Sequence, residues 1–287
     1  MSSAQPTTYT QGHDKSVTAN HARRTAEQSG SFVLPHLKPT FKILDIGSGP
    51  GTITFGFAKY VPQGSVTGID LSDEVIAQAE ELLSQQDPKP KNVTFKKGNV
   101  LEGLPFKDGE FDVIYTSQVL IHIHDPVTAL KEMKRVCKPV TGIVCSKEGD
   151  WPLRYVPYTR GLQLFHYWFY QMIHGKAPEE IRHPDQAPFA PGHRGGSLLH
   201  VWAREAGFDP KRIEKGASVQ VYATEEQRGF YAEGMVKRIV DGGHGEKFKS
   251  LGATEEEVQE IVKGWREWGE NVDGWTATVD CEVICHN

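Results

Sequence analysis

Cysteine is scarce in this sequence, and long apolar runs are absent. The four cysteines include no Cys-x-x-Cys pair, which argues against a disulfide framework and against a cysteine zinc site. No stretch of about eighteen apolar residues occurs, so no membrane-spanning helix is predicted. The first residues carry neither the basic nor the apolar region of a signal peptide. We therefore expect a cytoplasmic protein without membrane insertion.

Positive charge is not in excess either. The 32 lysines and arginines are outnumbered by 37 aspartates and glutamates, giving a formal net charge of −5. Basic pairs such as Lys96-Lys97 are scattered, whereas a phosphate-binding surface needs a cluster, so we expect no nucleic-acid partner. Apolar residues make up 38% of the 287 residues. That share is enough to bury a full core, and it favours one domain with an inserted or appended cap.

The segment Ile43–Thr52 is the most informative part of the chain. It is an apolar strand pattern that runs into a loop with glycine at positions 47, 49 and 51. Glycine tolerates positive φ and lets the backbone lie close to a bound molecule, and a helix pattern follows the loop. This order of strand, glycine loop and helix predicts the first βαβ unit of a nucleotide-binding sheet.

Two residues of this segment indicate which nucleotide it binds. A dinucleotide loop has glycine at the position of Thr52, and its pyrophosphate would be repelled by Asp45 at the end of the strand. S-adenosylmethionine carries no phosphate, and its sulfonium and ammonium groups are attracted by a carboxylate. The segment therefore favours S-adenosylmethionine over NAD.

Three further strand patterns end in polar residues that fit the same cofactor. Asp70 ends the second strand about twenty residues after the glycines, the spacing of a ribose-binding acid. Asn99 follows the third strand and is predicted either to contact adenine or to act as an ordinary turn residue. Carboxyl ends of parallel strands are where such sheets bind ligands. The predicted cofactor contacts in this part of the chain are Asp45, Gly47, Ser48, Gly49, Thr52, Asp70, Leu71, Asn99, Val100, Gln118 and Val119.

Taken in order, these motifs resemble the class I S-adenosylmethionine-dependent methyltransferases of the ubiquinone and menaquinone biosynthesis type. The resemblance is carried by Leu44–Thr52, Val66–Ser72, Gly98–Pro105 and Phe111–Pro126. It implies an α/β fold with a doubly wound, mostly parallel seven-stranded sheet and a helical lid or cap insertion. It also implies methyl transfer to a small-molecule acceptor, since members include enzymes of secondary metabolism. The chain departs from the family at Asn99, where an acid is usual before the adenine-binding residue, and at Val140 and Thr141, where Pro-Gly-Gly is usual after the proline.

The resemblance also implies a domain organisation. Residues 1–37 are expected to form an N-terminal helical lid in which Tyr9 reaches the cofactor, and residues 38–150 the cofactor-binding core. Residues 151–210 are expected to cover the substrate, and residues 211–287 to add C-terminal strands and helices. The aromatic stretch Tyr158–His174 is predicted to be helical. Its aromatic residues are interpreted either as a substrate pocket or as packing in a core or a homodimer contact.

The predicted elements alternate as a doubly wound sheet requires. The predicted strands are 41–46, 65–70, 93–97, 111–116, 141–147, 217–223 and 276–285. The predicted helices are 16–37, 52–60, 72–85, 126–137, 158–174, 197–207, 224–241 and 254–270, with a glycine-rich loop at 242–245.

Methyl transfer needs a base only if the acceptor carries a proton to lose. The predicted candidates, in order of preference, are Glu148, His122 and His13. His122 and His124 would share a face on an extended segment and diverge in a helical turn. No third ligand accompanies that histidine pair, so no metal is predicted. The alternative function is a catalyst that keeps the cofactor without transferring its methyl group, such as a cyclase, or a regulatory protein that binds S-adenosylmethionine.

Overall fold

A central sheet of seven strands organises the chain in the computed structural model, which describes residues 24–174 and 195–287. The spatial order of the strands is β3-β2-β1-β4-β5-β7-β6. The strands are β1 (Lys42–Ile46), β2 (Ser65–Asp70), β3 (Val93–Lys97), β4 (Val113–Ser117), β5 (Ile143–Val156), β6 (Ile213–Tyr222) and β7 (Trp275–His286).

The first five strands pair in parallel. β1 lies between β2 and β4, and Asp45 is opposite Gly68 on one side and Tyr115 on the other. β3 pairs with β2, and β5 pairs with β4. After β3 the chain crosses back to place β4 beside β1, and the strand order reverses between β1 and β4; this switch point is where open parallel sheets bind their ligands. The predicted doubly wound, mostly parallel α/β sheet is confirmed.

Helices connect the strands, and several begin at the residues that the sequence favours. Ser72 accepts a hydrogen bond from the backbone N–H of Val75 and so caps the helix that carries Asp73 and Glu74 in its first turn. Thr224 and Thr254 each form a complete capping box. The helices are α1 (Ala26–Ser29), α2 (Thr52–Phe57), α3 (Asp73–Ser84), α4 (Pro126–Val136), α5 (Arg160–His174), α6 (Gly195–Glu205), α7 (Glu225–Val240), α8 (His244–Leu251) and α9 (Glu255–Glu270).

The described chain divides into two compact units. The first, called the core unit, comprises residues 24–149, 195–218 and 280–287; the second, called the helical unit, comprises residues 150–174 and 219–279. In the core unit, neighbouring residues of β1 serve opposite faces of the sheet. Ile43 belongs to one apolar cluster and Leu44 to the other, and both are fully buried. Apolar residues on both faces are characteristic of a parallel sheet with helices on each side.

The helical unit is built around aromatic side chains. Trp265 and Trp268 of α9 are fully buried, with ring centroids 5.8 Å apart, and Tyr155 of β5 meets Trp265 edge to face at 5.0 Å. Phe165 of α5 joins the same cluster. Packing in a core, one of the two interpretations of this aromatic stretch, accounts for Phe165 and also for Trp168, which is 8% exposed.

Three elements differ most from their predicted bounds. β5 continues to Val156 instead of ending at 147. Near its end, Tyr155 is buried between two exposed neighbours, which is the alternation of a strand. Of the predicted helix 16–37, residues 16–23 lie outside the described residues; the rest contains two short helical turns, Ala26–Ser29 and Leu34–His36, since Gly30 ends α1. α8 is an unpredicted helix that begins inside the predicted glycine-rich loop 242–245 and continues to Leu251. Gly243, with φ of 78°, precedes its first residue, and Gly252, with φ of 118°, ends it.

Candidate functional site

The glycine loop after β1 is held against β2. The backbone N–H groups of Gly47 and Ser48 both donate to the carbonyl of Ile69, at 2.8 and 2.9 Å. Gly47 has φ of 70°, and a Cβ built there would overlap Cγ2 of Val119. A side chain at position 47 is therefore excluded both by the backbone conformation and by the loop that follows β4.

Asp70 at the end of β2 organises the same loop. Its Oδ2 accepts a hydrogen bond from the backbone N–H of Gly49 at 3.0 Å, and its Oδ1 accepts one from Ser72 at 3.2 Å. A carboxylate has about four acceptor positions, so two remain for a ligand. Among the described residues, a Cβ built on Gly49 would meet nothing within 4 Å, so none of them packs against the loop at this glycine. Leu71, the next residue, is 43% exposed.

Asp45 lies beneath the glycine loop and is 2% exposed. Burial raises the pKa of this carboxyl to about 7, and the charge of Asp70 acts in the same direction. The hydroxyl of Thr54 donates to Oδ2 of Asp45 at 2.6 Å and opposes part of that rise. A buried carboxylate of this kind would be stabilised by a nearby cation.

Asn99 uses both ends of its side chain inside its own turn. Its Oδ1 accepts from the backbone N–H of Leu101 at 3.0 Å, and its Nδ2 donates to Glu102 at 2.9 Å. Val100 is buried. The turn role that the sequence left open accounts for both contacts, and the adenine role stays a prediction.

The loop after β4 is fastened to β5 by Gln118 and Glu148. Gln118 has φ of 58°, its backbone N–H donates to the carbonyl of Lys147, and its Oε1 accepts from Gly149. Oε1 of Glu148 accepts from the backbone N–H groups of Val119 and Leu120, at 3.0 and 2.9 Å. Glu148 is fully buried, and desolvation raises its pKa to about 7 although those backbone N–H groups oppose the rise.

The remaining predicted residues are only partly brought together. His122 ends a helical turn over Leu120–His122 and is half-buried, while His124 is exposed, so the two side chains diverge. Thr52 is the first residue of α2, at the end of the glycine loop. Tyr9 and His13 lie outside the described residues.

Sequence reasoning missed Asp280, whose Oδ1 accepts a hydrogen bond from Nε2 of Gln118 at 3.1 Å. It also missed Lys147, which is 2% exposed in β5. A signal was present, because charged residues inside otherwise apolar strand patterns are unusual unless they are paired.

Comparison with known proteins identifies the family. A methyltransferase-domain model matches residues 37–178. An uncharacterized methyltransferase from Schizosaccharomyces pombe is 33% identical over 286 residues, covering 96% of this chain and 95% of that protein. The chain belongs to the class I S-adenosylmethionine-dependent methyltransferases. The cofactor of this methyltransferase is accordingly S-adenosylmethionine.

Two other comparisons bear on the methyltransferase. The demethylmenaquinone methyltransferase of Staphylococcus aureus is 32% identical over 177 residues, which are 60% of this chain and 69% of that protein. The solved structure of the YcgJ protein from Bacillus subtilis superposes with a TM-score of 0.56 at 16% identity, covering 90% of this chain and 98% of that one. The second comparison supports the fold.

The described part of the methyltransferase has neither a candidate membrane span nor a candidate metal cluster. In residues 24–174 and 195–287, no helix is long and apolar enough to cross a membrane. Over the same ranges, no group of three or more His, Cys, Asp or Glu side chains is arranged to hold a metal ion.

Proposed function

We propose that this methyltransferase methylates a small aromatic or quinone-like molecule. The observation that carries the cofactor half of the proposal is the Asp70 carboxylate, which bridges the glycine loop and the start of α3 and keeps acceptor positions for ribose hydroxyls. The acceptor half rests on the resemblance to quinone methyltransferases and on the relative from Staphylococcus aureus, whose name specifies demethylmenaquinone.

The cofactor contacts of the proposal follow the carboxyl edge of the sheet. Gly47 and Gly49 bring the backbone close to the methionine end, and Asp45 supplies negative charge toward the sulfonium. Asp70 takes the ribose. Asn99 and Val100 take the adenine, with the Asn99 side chain leaving its turn contacts or the backbone serving in its place.

The reaction of the proposal is an in-line displacement. Bound S-adenosylmethionine would supply the methyl group: the acceptor atom would bond to the methyl carbon as the methyl–sulfur bond breaks. The electron pair of the broken bond would stay on sulfur, which gives S-adenosylhomocysteine. An acceptor that carries a proton loses it to a base. We assign this step to His122, because it is half-buried within the loop after β4, whereas Glu148 is fully buried and already holds that loop. The homodimer contact through Tyr158–His174 stays a prediction.

The test uses S-adenosylmethionine with a deuterated methyl group and a metabolite extract as the source of acceptors. Mass spectrometry then records S-adenosylhomocysteine and any new product that carries the labelled methyl group. The proposal expects both, and it expects Asp70→Ala to reduce them about tenfold or more through lost charge-assisted hydrogen bonds. Asp73→Ala is the matched control, because Asp73 is an exposed aspartate paired only with Lys97 among the ion pairs of the described chain.

Two outcomes would contradict the proposal. A new product without the label and without S-adenosylhomocysteine would favour a cyclase-like catalyst that retains its cofactor. Binding of S-adenosylmethionine without turnover on any aromatic or quinone acceptor would favour a regulatory protein.

A further inference from the structure

The core unit contains a buried cluster of charged side chains outside the glycine loop. Nζ of Lys147 in β5 lies 3.2 Å from Oε1 of Glu282 and 3.7 Å from Oδ2 of Asp280, both in β7. It also contacts the hydroxyl of Ser218 in β6 at 2.6 Å, and that hydroxyl donates to Glu282 at 2.7 Å. The three charged residues are each less than 10% exposed. Buried charges persist only when they are paired in this way.

One member of the cluster faces in a second direction. Asp280 receives Lys147 on Oδ2 and the side-chain amide of Gln118 on Oδ1. Glu282 is bonded instead to Lys147 and Ser218. Asp280 therefore connects the buried lysine to the loop after β4.

Gln118 has a conformation that needs such a connection. Its φ of 58° lies in the left-handed region, which is sterically unfavourable for a residue other than glycine. Both ends of its side chain are held, Nε2 by Asp280 and Oε1 by the N–H of Gly149. These contacts over-determine the local backbone, and that is the usual condition for a strained residue to persist.

The conformation of Gln118 fixes the residue that follows it. Val119 lies against the Cα of Gly47, so closely that no Cβ fits between them, and its N–H is held by Glu148. A backbone rotation at Gln118 would move the Val119 side chain away from Gly47, and the glycine loop would lose that packing contact. The contacts thus run without a gap from Lys147 through Asp280, Gln118 and Val119 to Gly47.

We infer that Asp280 is a positioning residue for the cofactor site: through Gln118 it fixes Val119, which packs against the glycine loop. This inference rests on the proposed function, since it takes the glycine loop as the place where S-adenosylmethionine binds. The contacts of Asp280 described above are with Lys147 and Gln118, not with the glycine loop. Its expected effect on cofactor affinity is therefore indirect, through the position of Val119.

Calorimetric titration with S-adenosylhomocysteine tests the inference. Asp280→Ala is expected to raise the dissociation constant about tenfold, the equivalent of one charge-assisted hydrogen bond. Ser218→Ala is the matched control: it removes contacts to Lys147 and Glu282 within the same cluster and leaves Gln118 in place. It is expected to lower the melting temperature without changing the dissociation constant. Equal weakening by both variants would overturn the inference in favour of a general loss of core stability.

A double-mutant cycle separates positioning from stability. Gln118→Gly permits positive φ but lacks the amide, so it is expected to weaken binding severalfold, and adding Asp280→Ala to it is expected to weaken binding no further. Additive effects would overturn the inference. If Asp280→Ala fails to fold, Gln118→Gly alone decides, and an unchanged dissociation constant overturns it. Absence of binding to the wild type would instead overturn the proposed function.

Discussion

Val140 offers a direct test of how backbone strain is distributed in this fold. It lies in the turn between α4 and β5, has φ of 70° and is 76% exposed. Positive φ is an outlier for a β-branched residue, and the turn is one where the resembled family usually has glycine. We therefore expect Val140→Gly to stabilise the protein.

The size of the effect follows from three contributions. Relief of the left-handed conformation gains about 2 kcal/mol, taking the upper end of the range for a branched side chain. Glycine loses about 0.7 kcal/mol more conformational entropy on folding. Because about three quarters of the Val140 side chain is exposed, its removal sacrifices only about 0.5 kcal/mol of burial. The net gain is about 0.8 kcal/mol.

Urea unfolding followed by circular dichroism measures this gain. Val140→Gly is expected to raise the urea midpoint while the slope stays unchanged. The matched control is Val140→Ala, which removes the branch but keeps the Cβ and with it most of the strain. A Val140→Gly protein no more stable than Val140→Ala would refute the reasoning, because the strain would then not reside in the backbone.

Three further outcomes are expected. Gly47→Ala should raise the dissociation constant of S-adenosylhomocysteine about 100-fold, because the added methyl group must displace Val119 and the alanine must adopt positive φ. Calorimetric titration measures this constant, and binding at the wild-type level would contradict the assignment of the glycine loop to the cofactor site. Asp45 has a folded pKa of about 7, raised above its ordinary value by burial, so its ionisation destabilises the unliganded protein as pH rises from about 4 through 7. In urea unfolding, the free energy of unfolding of Asp45→Asn relative to the wild type should therefore rise by about 2–4 kcal/mol between pH 5 and pH 8. A difference that stays constant over this range would refute the reasoning. Glu148→Gln keeps an acceptor for Val119 and Leu120, so turnover should fall by less than about tenfold; a loss of 100-fold or more would make Glu148 the base, as the sequence predicts.

Local patterns predicted the parallel part of the sheet well. β2 and β3 have the predicted bounds, because each is an apolar alternation closed by a polar or glycine turn. The glycine loop and Asp70 were predictable for the same reason, since their spacing along the chain is set by one βαβ unit. The structure joins them through the Gly49 N–H.

The parts that the sequence did not predict depend on contacts between distant segments. The partners of Asp280 lie on β5 and in the loop after β4, far away along the chain, and no local pattern connects them. The raised pKa of Asp45 depends on the depth of burial, which the strand pattern does not specify. α8 was missed because the glycines at 242, 243 and 245 predicted a loop, although Gly243 in a left-handed conformation begins a helix there.

The strand order has a consequence for how the protein is synthesised. β7 lies between β5 and β6 in the sheet, yet it is translated after both. Until residues 275–286 emerge from the ribosome, β5 has no neighbour on that side and β6 has no strand to pair with. Unpaired edges of this kind invite association between nascent chains. Chaperone dependence should therefore peak during the interval between translation of β6 and translation of β7.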